Sequence, residues 1–401
     1  MRCSALVQVT GPLASFAEGF LARLELLGYA PGSRAVHLRL MAQLSRWLDG
    51  RGLADSVLST AIMEEFLFDR RAGGGAGRRS IRSLRPLLEY LREIGAAPLP
   101  VQQVDGPVET LLVDYAVYLT NERGLTVATV QRNTDLVRPF LTARVAAGLD
   151  LTTLTAADVV AFMLARSRSA SPATVQRTGT ALRSLLRFLH LQGVIGSSLV
   201  GAVPTAANWK LAGLPKYLTG QQVAALLACC DRGTVVGRRD LAVLTLLARL
   251  GLRAGEVAGL RLEDIDWRRG EITVRGKGNR QERLPLPADV GEVVVAYLSG
   301  SRPAAAAGRE VFAGTRAPHR ALTRGAVTQL VARASRRCGL GTIYAHRLRH
   351  TAATAMLHAG ASLEEIGQVL RHRHALTTAG YAKVDHEGLR ALARLWPGST
   401  A

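Results

Sequence analysis

The segment HRLRHTAATAMLHAG, beginning at His346, has the spacing of an anion site. Wound as a helix, it places His346, Arg349, His350 and Ala353 on one face and Leu348, Ala352 and Ala355 on another. The second face is built for packing. On the first, a guanidinium presents a fork of donors and an imidazole three residues earlier presents one donor or acceptor, a pair suited to a phosphodiester. Taken alone, the segment fits a solvated helix face with incidental basic residues equally well. Zinc is a third reading, because His346 and His350 stand four apart and HRH follows at 372–374. It is disfavoured: the helix lacks the Glu of a His-Glu-x-x-His site, no cysteine or carboxylate supports it, and Arg347, Arg349, Arg371 and Arg373 would crowd a dication.

Three further positions carry reactive groups. In LRAGEVAGL, Arg253 stands where one helix gives way to the next, and Glu256 can hold its guanidinium in position. A local ion pair at a helix end is the plainer account. Lys277, between Gly276 and Gly278, sits at the turn of a hairpin, where a surface lysine would be unremarked except that the chain holds only four lysines among 51 basic residues. A lysine can lose its proton where an arginine effectively cannot, so this position suits proton donation. In LRHRHALTTAGYAKV, Tyr381 follows His372 by nine residues, an available nucleophile on a short turn or helix, although a single tyrosine is more often a packed or surface aromatic.

These groups must be positioned by helices and one small sheet. Thr219 with Gln222, and Ser362 with Glu365, are capping-box patterns that start helices near 220 and 363. The apolar stretch from Leu241 to Leu252 is too short to cross a bilayer, which takes roughly 20 residues, and reads as a buried core helix. EITVR (271–275) and ERLPLP (282–287) flank a GKGNRQ turn, the one credible β-hairpin. The expected fold is mostly α with a small antiparallel sheet in the last region.

Upstream, the chain repeats itself. GYAPGS (28–33) parallels GLTVAT (124–129), and LRPLLEYLREIG (84–95) matches LRSLLRFLHLQG (182–193) at six of twelve positions. Leu/Arg-rich amphipathic helices also produce such likeness by chance. The division expected is a helical module at 1–100, a second at 106–196, a linker at 197–215 rich in small residues with two prolines, and a chemistry-bearing domain at 216–401. A length of 401 residues with 48% hydrophobic content supports several cores, and a net charge of +20 makes a polyanion the default partner, nucleic acid before membrane. Cys3, Cys229, Cys230 and Cys338 have neither metal-ligand nor disulfide spacing, which fits a reducing cytoplasm.

Together, GLRAGEVAGL, the hairpin lysine, HRLRHTAAT and LRHRHALTTAGY resemble the catalytic signature of tyrosine recombinases, the family of phage integrases and chromosome-dimer-resolving enzymes, over about residues 215–385. The resemblance implies a site-specific DNA recombinase, an integrase or transposase-like enzyme of a mobile genetic element. Tyr381 would attack phosphorus to give a covalent 3′-phosphotyrosine, and Lys277 would protonate the leaving 5′-oxygen. Arg253 and Arg349 would clamp the phosphate, His346 would assist proton transfer, His372 would donate a hydrogen bond to the phosphate, and Glu256, with His350 a weaker candidate, would support them. It implies no cofactor and no metal. It implies double-stranded DNA as partner, a homotetramer on two paired sites with possible other recombinase subunits or accessory DNA-bending proteins, and a nucleoid-associated place in the bacterial cytoplasm. The 106–196 module resembles the core-binding domain that clamps the duplex together with the catalytic domain, and 1–100 looks like its duplicate or an assembly domain. A tail helix carrying Leu389, Leu392 and Leu395 would dock onto a neighbouring protomer. Arg371 and Gly380 depart from the family, which commonly has glycine before the second histidine and a larger residue before the tyrosine. The runner-up activity is relaxation of a type IB topoisomerase kind; an accessory DNA-binding protein with an inactive site is the non-enzymatic alternative.

Overall fold

The computed structural model describes residues 7–72, 80–99, 106–205, 217–276, 280–371 and 378. By compactness the chain forms two units, one of residues 100–212 and one combining 1–99 with 213–401. Three separate large apolar cores lie within them.

The 100–212 unit holds four helices, α5 (Pro107–Asn121), α6 (Val127–Ala146), α7 (Ala156–Ser169) and α8 (Pro172–Leu191), numbered after the four helices of the preceding region. Leu182, Leu185, Leu186 and Leu189 recur three and four apart, so α8 turns one continuous stripe inward and all four are buried. Tyr115 of α5 is also buried, and its hydroxyl donates to the Ala181 carbonyl at 3.3 Å. Thr155 and Asp158 close a capping box at the start of α7. The sequence expected a linker from 197, but the chain there still belongs to this unit: Val203 is buried in its core and its carbonyl accepts from Arg183 Nη2 at 2.9 Å.

The first region repeats the plan with α1 (Ala17–Leu26), α2 (Pro31–Asp49), α3 (Thr60–Ala72) and α4 (Ile81–Glu93). Leu84, Leu87, Leu88 and Leu91 are buried on α4, the same spacing as on α8. Each of these two helices is followed by a glycine in the left-handed region, Gly95 at φ 77° and Gly193 at φ 69°, where an L side chain would be strained.

The remaining residues of the larger unit form α9 (Gly220–Ala228), α10 (Val235–Arg249), α11 (Ala254–Ala258), strands β1 (Ile265–Asp266), β2 (Glu271–Arg275) and β3 (Gln281–Pro285), then α12 (Ala288–Gly300), α13 (Arg324–Arg337), α14 (Ala345–His358) and α15 (Leu363–Val369). Both capping boxes read from the sequence are present, Thr219 with Gln222 at α9 and Ser362 with Glu365 at α15. The stretch from Leu241 to Leu247 is buried on every face because α10 runs through the middle of the core. The sheet is antiparallel in the order β1-β2-β3, with Ile272 opposite Ile265 on one side and Leu284 on the other. The expected hairpin is therefore β2-β3, and a second one, β1-β2, was not anticipated. β1 is two residues long, too short to show a period, and only its pairing with β2 defines it. β3 also stops at Pro285, short of the expected 287, because Pro287 caps α12. Among the described residues no helix is long and apolar enough to cross a membrane.

Candidate active site

Helix α10 ends at Arg249, and Gly251 turns the chain with a φ of 59°. Glycine suits this turn: any other residue would be strained at this φ, and its Cβ would lie 2.6 Å from Leu370 Cδ2, which would have to shift. The turn delivers Arg253 in extended conformation as the N-cap of α11. The first N–H groups of any helix lack intrahelical acceptors, and Glu256 reaches back to meet this need. Its Oε2 accepts from the Arg253 backbone N–H at 2.8 Å, and its Oε1 accepts from Arg253 Nη1 at 2.6 Å. Glu256 is buried, which by itself raises its pKa, yet Arg371 and Arg253 outweigh burial and hold the carboxyl below the ordinary range.

Arg349 arrives from the second turn of α14. It is 2% exposed, held by carbonyls of two different loops: Nη1 donates to Gly251 O at 2.7 Å, and Nη2 donates to Leu370 O. His346 lies one turn earlier, and its ring meets that of His350 with centroids 4.3 Å apart at 66°. Burial, then Arg349, Arg253 and Arg324, push the His346 pKa down; burial, then His346 and Arg349, push His350 to about 4. Lowered pKa values favour the neutral imidazole at both positions.

Arg253, Glu256, Arg275, Arg324, His346 and Arg349 line one cavity of about 690 Å³. Four guanidiniums face one carboxylate there, and the N-terminus of α14 opens on the same space through Tyr344 and Ala345. Helix N-termini and arginine forks both favour anions, so the cavity is chemically suited to an anion. Among the described residues no group of three or more His, Cys, Asp or Glu side chains is placed to hold a metal.

Of the eight site residues read from the sequence, Arg253, Glu256, His346 and Arg349 meet at this cavity and His350 packs edge-on against His346. Lys277, His372 and Tyr381 lie outside the described residues, as do His374, Gly380 and the tail with Leu389, Leu392 and Leu395. The two-faced picture of α14 needs correcting: Ala353, assigned to the anion-binding face, is fully buried, whereas Ala355, assigned to packing, is exposed. Helix α14 is wrapped on more than one side, by α10, α13 and α15, so a single packing stripe does not describe it. Arg275, Arg324 and Arg371 were not among the site residues read from the sequence. Nothing in their local sequence distinguishes the first two from the many other arginines. Arg371 did carry a signal, as the place where the family commonly has glycine. Its φ of 57° is the left-handed conformation that favours glycine, and its Nη2 donates to Glu256 Oε2 at 2.8 Å.

Residues 216–387 match the phage integrase family, and residues 112–193 match the N-terminal SAM-like domain of phage integrases. Across 394 residues, covering 97% of this chain and 95% of the relative, the sequence is 39% identical to an integrase/recombinase of Sinorhizobium fredii, y4rA. The chain belongs to the phage integrase family of tyrosine recombinases. This recombinase is also 31% identical to the tyrosine recombinase XerD of Listeria monocytogenes over 280 residues, 68% of its own length and 94% of that protein. Its fold is similar to that of a lambda integrase tetramer bound to a Holliday junction, with a TM-score of 0.53, 17% identity, and coverage of 81% of this chain and 91% of that one. The mechanism general to the family is strand cleavage and rejoining through a covalent 3′-phosphotyrosine, and this recombinase is an enzyme of site-specific DNA recombination.

Proposed function

We propose that the scissile phosphate binds in the cavity where Arg253, His346 and Arg349 converge, and the convergence of these three groups is the observation that carries the assignment. Arg349 and Arg253 stabilise the charge that builds on the non-bridging oxygens, from positions fixed before the substrate arrives, so little reorganisation is needed during reaction. Neutral His346 takes or relays a proton. Tyr381 is the nucleophile, Lys277 protonates the leaving 5′-oxygen, and His372 donates a hydrogen bond to the phosphate. Glu256 orients Arg253, and His350 supports His346. The phosphotyrosine keeps the energy of the broken phosphodiester, so a 5′-hydroxyl from a partner duplex restores continuous DNA without an external energy source. No metal or other cofactor takes part.

DNA is the partner. The finer reading is a homotetramer acting on two paired sites in the bacterial cytoplasm, associated with the nucleoid, and the similarity to a recombinase seen as a tetramer on a Holliday junction supports it. The α5–α8 module serves as the core DNA-binding domain, and the α1–α4 module, alike in its buried leucine spacing, is its duplicate.

The test is incubation of the full-length protein with supercoiled DNA carrying its native flanking sequences, followed by detergent quench. A protease-sensitive adduct at a 3′-phosphate, present in wild type and absent in Tyr381→Phe, is the expected result. DNA binding without any adduct overturns the assignment in favour of an accessory role.

A further inference from the structure

We infer that Arg371 is a positioning residue that ties the two phosphate-binding arginines to the chain leading into His372 and Tyr381, an inference that rests on the site assignment above. The left-handed turn at Arg371 presents two successive carbonyls to the site: Leu370 O accepts from Arg349 Nη2, and Arg371 O accepts from Arg253 Nη2 at 3.3 Å. The Arg371 side chain turns back, 5% exposed, and donates from Nη2 to Glu256 Oε2 at 2.8 Å and from Nη1 to Val369 O at 3.0 Å. Glu256 in turn holds Arg253. The contacts close a ring from Arg371 to Glu256 to Arg253 and back to the Arg371 carbonyl.

The cost of this arrangement indicates its purpose. A left-handed arginine is strained where glycine would not be, and the buried Nε has no hydrogen-bond partner among the described residues. Buried ion pairs contribute little net stability, and fixing one arrangement among several is their best-attested use. Here the arrangement fixed is the register between α11, which carries Arg253 at its N-cap, and the chain that runs directly into His372. Both phosphate-binding guanidiniums bond to that chain, so an unlatched segment would leave Arg253 and Arg349 without two of the carbonyls that orient them. With glycine at this position the turn persists but the latch to Glu256 is gone, and Arg253 alone would hold the carboxylate.

The experiment compares wild type, Arg371→Gly and Arg371→Lys in single-turnover cleavage of a duplex carrying the native site, with binding to the same duplex measured separately. Arg371→Gly suits the left-handed backbone, and Arg371→Lys keeps a cation for Glu256, so a folding failure of either leaves the other informative. Expected for Arg371→Gly is a fall in cleavage rate of about 30-fold, the scale of a small misplacement of reacting groups, with site affinity changed less than about 3-fold. Arg371→Lys recovers part of the rate. The groups facing Glu256 are Arg253 and Arg371, with Arg275, Arg324, His346 and Arg349 around the same cavity. Loss of Arg371 removes one cation, so the carboxyl protonates at higher pH and the acid limb of the cleavage profile moves up. A merely structural role would lower the active fraction without moving that limb. Wild-type rate with an unmoved limb in Arg371→Gly, or loss of affinity matching the loss of rate, overturns the inference. Absence of the Tyr381-dependent adduct in wild type overturns instead the site assignment beneath it.

Discussion

Arg349 and Arg253 reach the same cavity from different surroundings. Arg349 is 2% exposed and gripped by two backbone carbonyls, whereas the Arg253 side chain is 45% exposed and gripped by a carboxylate. Carbonyl oxygens carry no net charge, so those contacts fix the Arg349 fork without neutralising it. Glu256 orients Arg253 but also offsets its charge, and shares itself with Arg371. The Arg349 arm thus belongs to the architecture of the domain, and the Arg253 arm is adjustable, a half-exposed guanidinium set by a buried carboxylate and by the Arg371 carbonyl. The difference teaches that a two-arginine site can combine one rigid charge with one tunable charge.

Arg349→Ala should do the most damage on both counts. Cleavage should fall by about 10³-fold, and stability by about 1–3 kcal/mol for each of the Gly251 and Leu370 carbonyls left buried and unpaired. Single-turnover kinetics and urea unfolding read the two effects. Arg253→Ala should lower cleavage by about 10²-fold while costing less stability than Arg349→Ala, because the Arg253 guanidinium is half-exposed and Arg371 still pairs the buried Glu256 carboxylate. Equal stability losses for the two variants would break the comparison.

Glu256→Gln comes next, with cleavage reduced at least as far as in Arg371→Gly, about 30-fold, as Arg253 loses its orienting charge and the Arg371 latch is lost with it. Its folded pKa is depressed, so the carboxylate contributes stability that is present above the unfolded value near 4.5 and is lost as pH falls through the folded value. Wild type and variant should therefore differ in stability at pH 7 and converge in acid. The smallest effect concerns His350. Its folded pKa of about 4 lies below the ordinary 6.5, so between those values the unfolded chain binds a proton that the native state refuses. Stability should decline as pH drops from 6.5 toward 4, and His350→Gln should flatten that decline in unfolding titrations at pH 7 and pH 5. An unchanged slope would place the acid sensitivity elsewhere.

Local signals were legible wherever one residue's chemistry acts on its near neighbours. Thr219 with Gln222 and Ser362 with Glu365 cap helices at the expected points, and Glu256 was foreseen as the partner of Arg253 because three residues bridge one helical turn. Leucine spacing gave α4 and α8 their buried stripes. What escaped depended on partners distant in sequence. Strand β1 exists only through its pairing with β2, and Ala353 is buried because neighbouring helices cover that side of α14. Arg275 and Arg324 belong to the cavity only because β2 and the start of α13 meet there.

The sequence by itself determined the helical periods, the caps, the order of the reactive residues and the family signature, all of which act within a turn or two of chain or as a fixed order along it. The tertiary structure alone decided that Gly251 and Leu370, 98 and 21 residues from Arg349, supply the carbonyls that hold it, and that Arg371 closes on Glu256 across 115 residues. Such contacts carry no periodicity to read. Their energies depend on burial and on distances that exist only after the chain has brought its remote segments together.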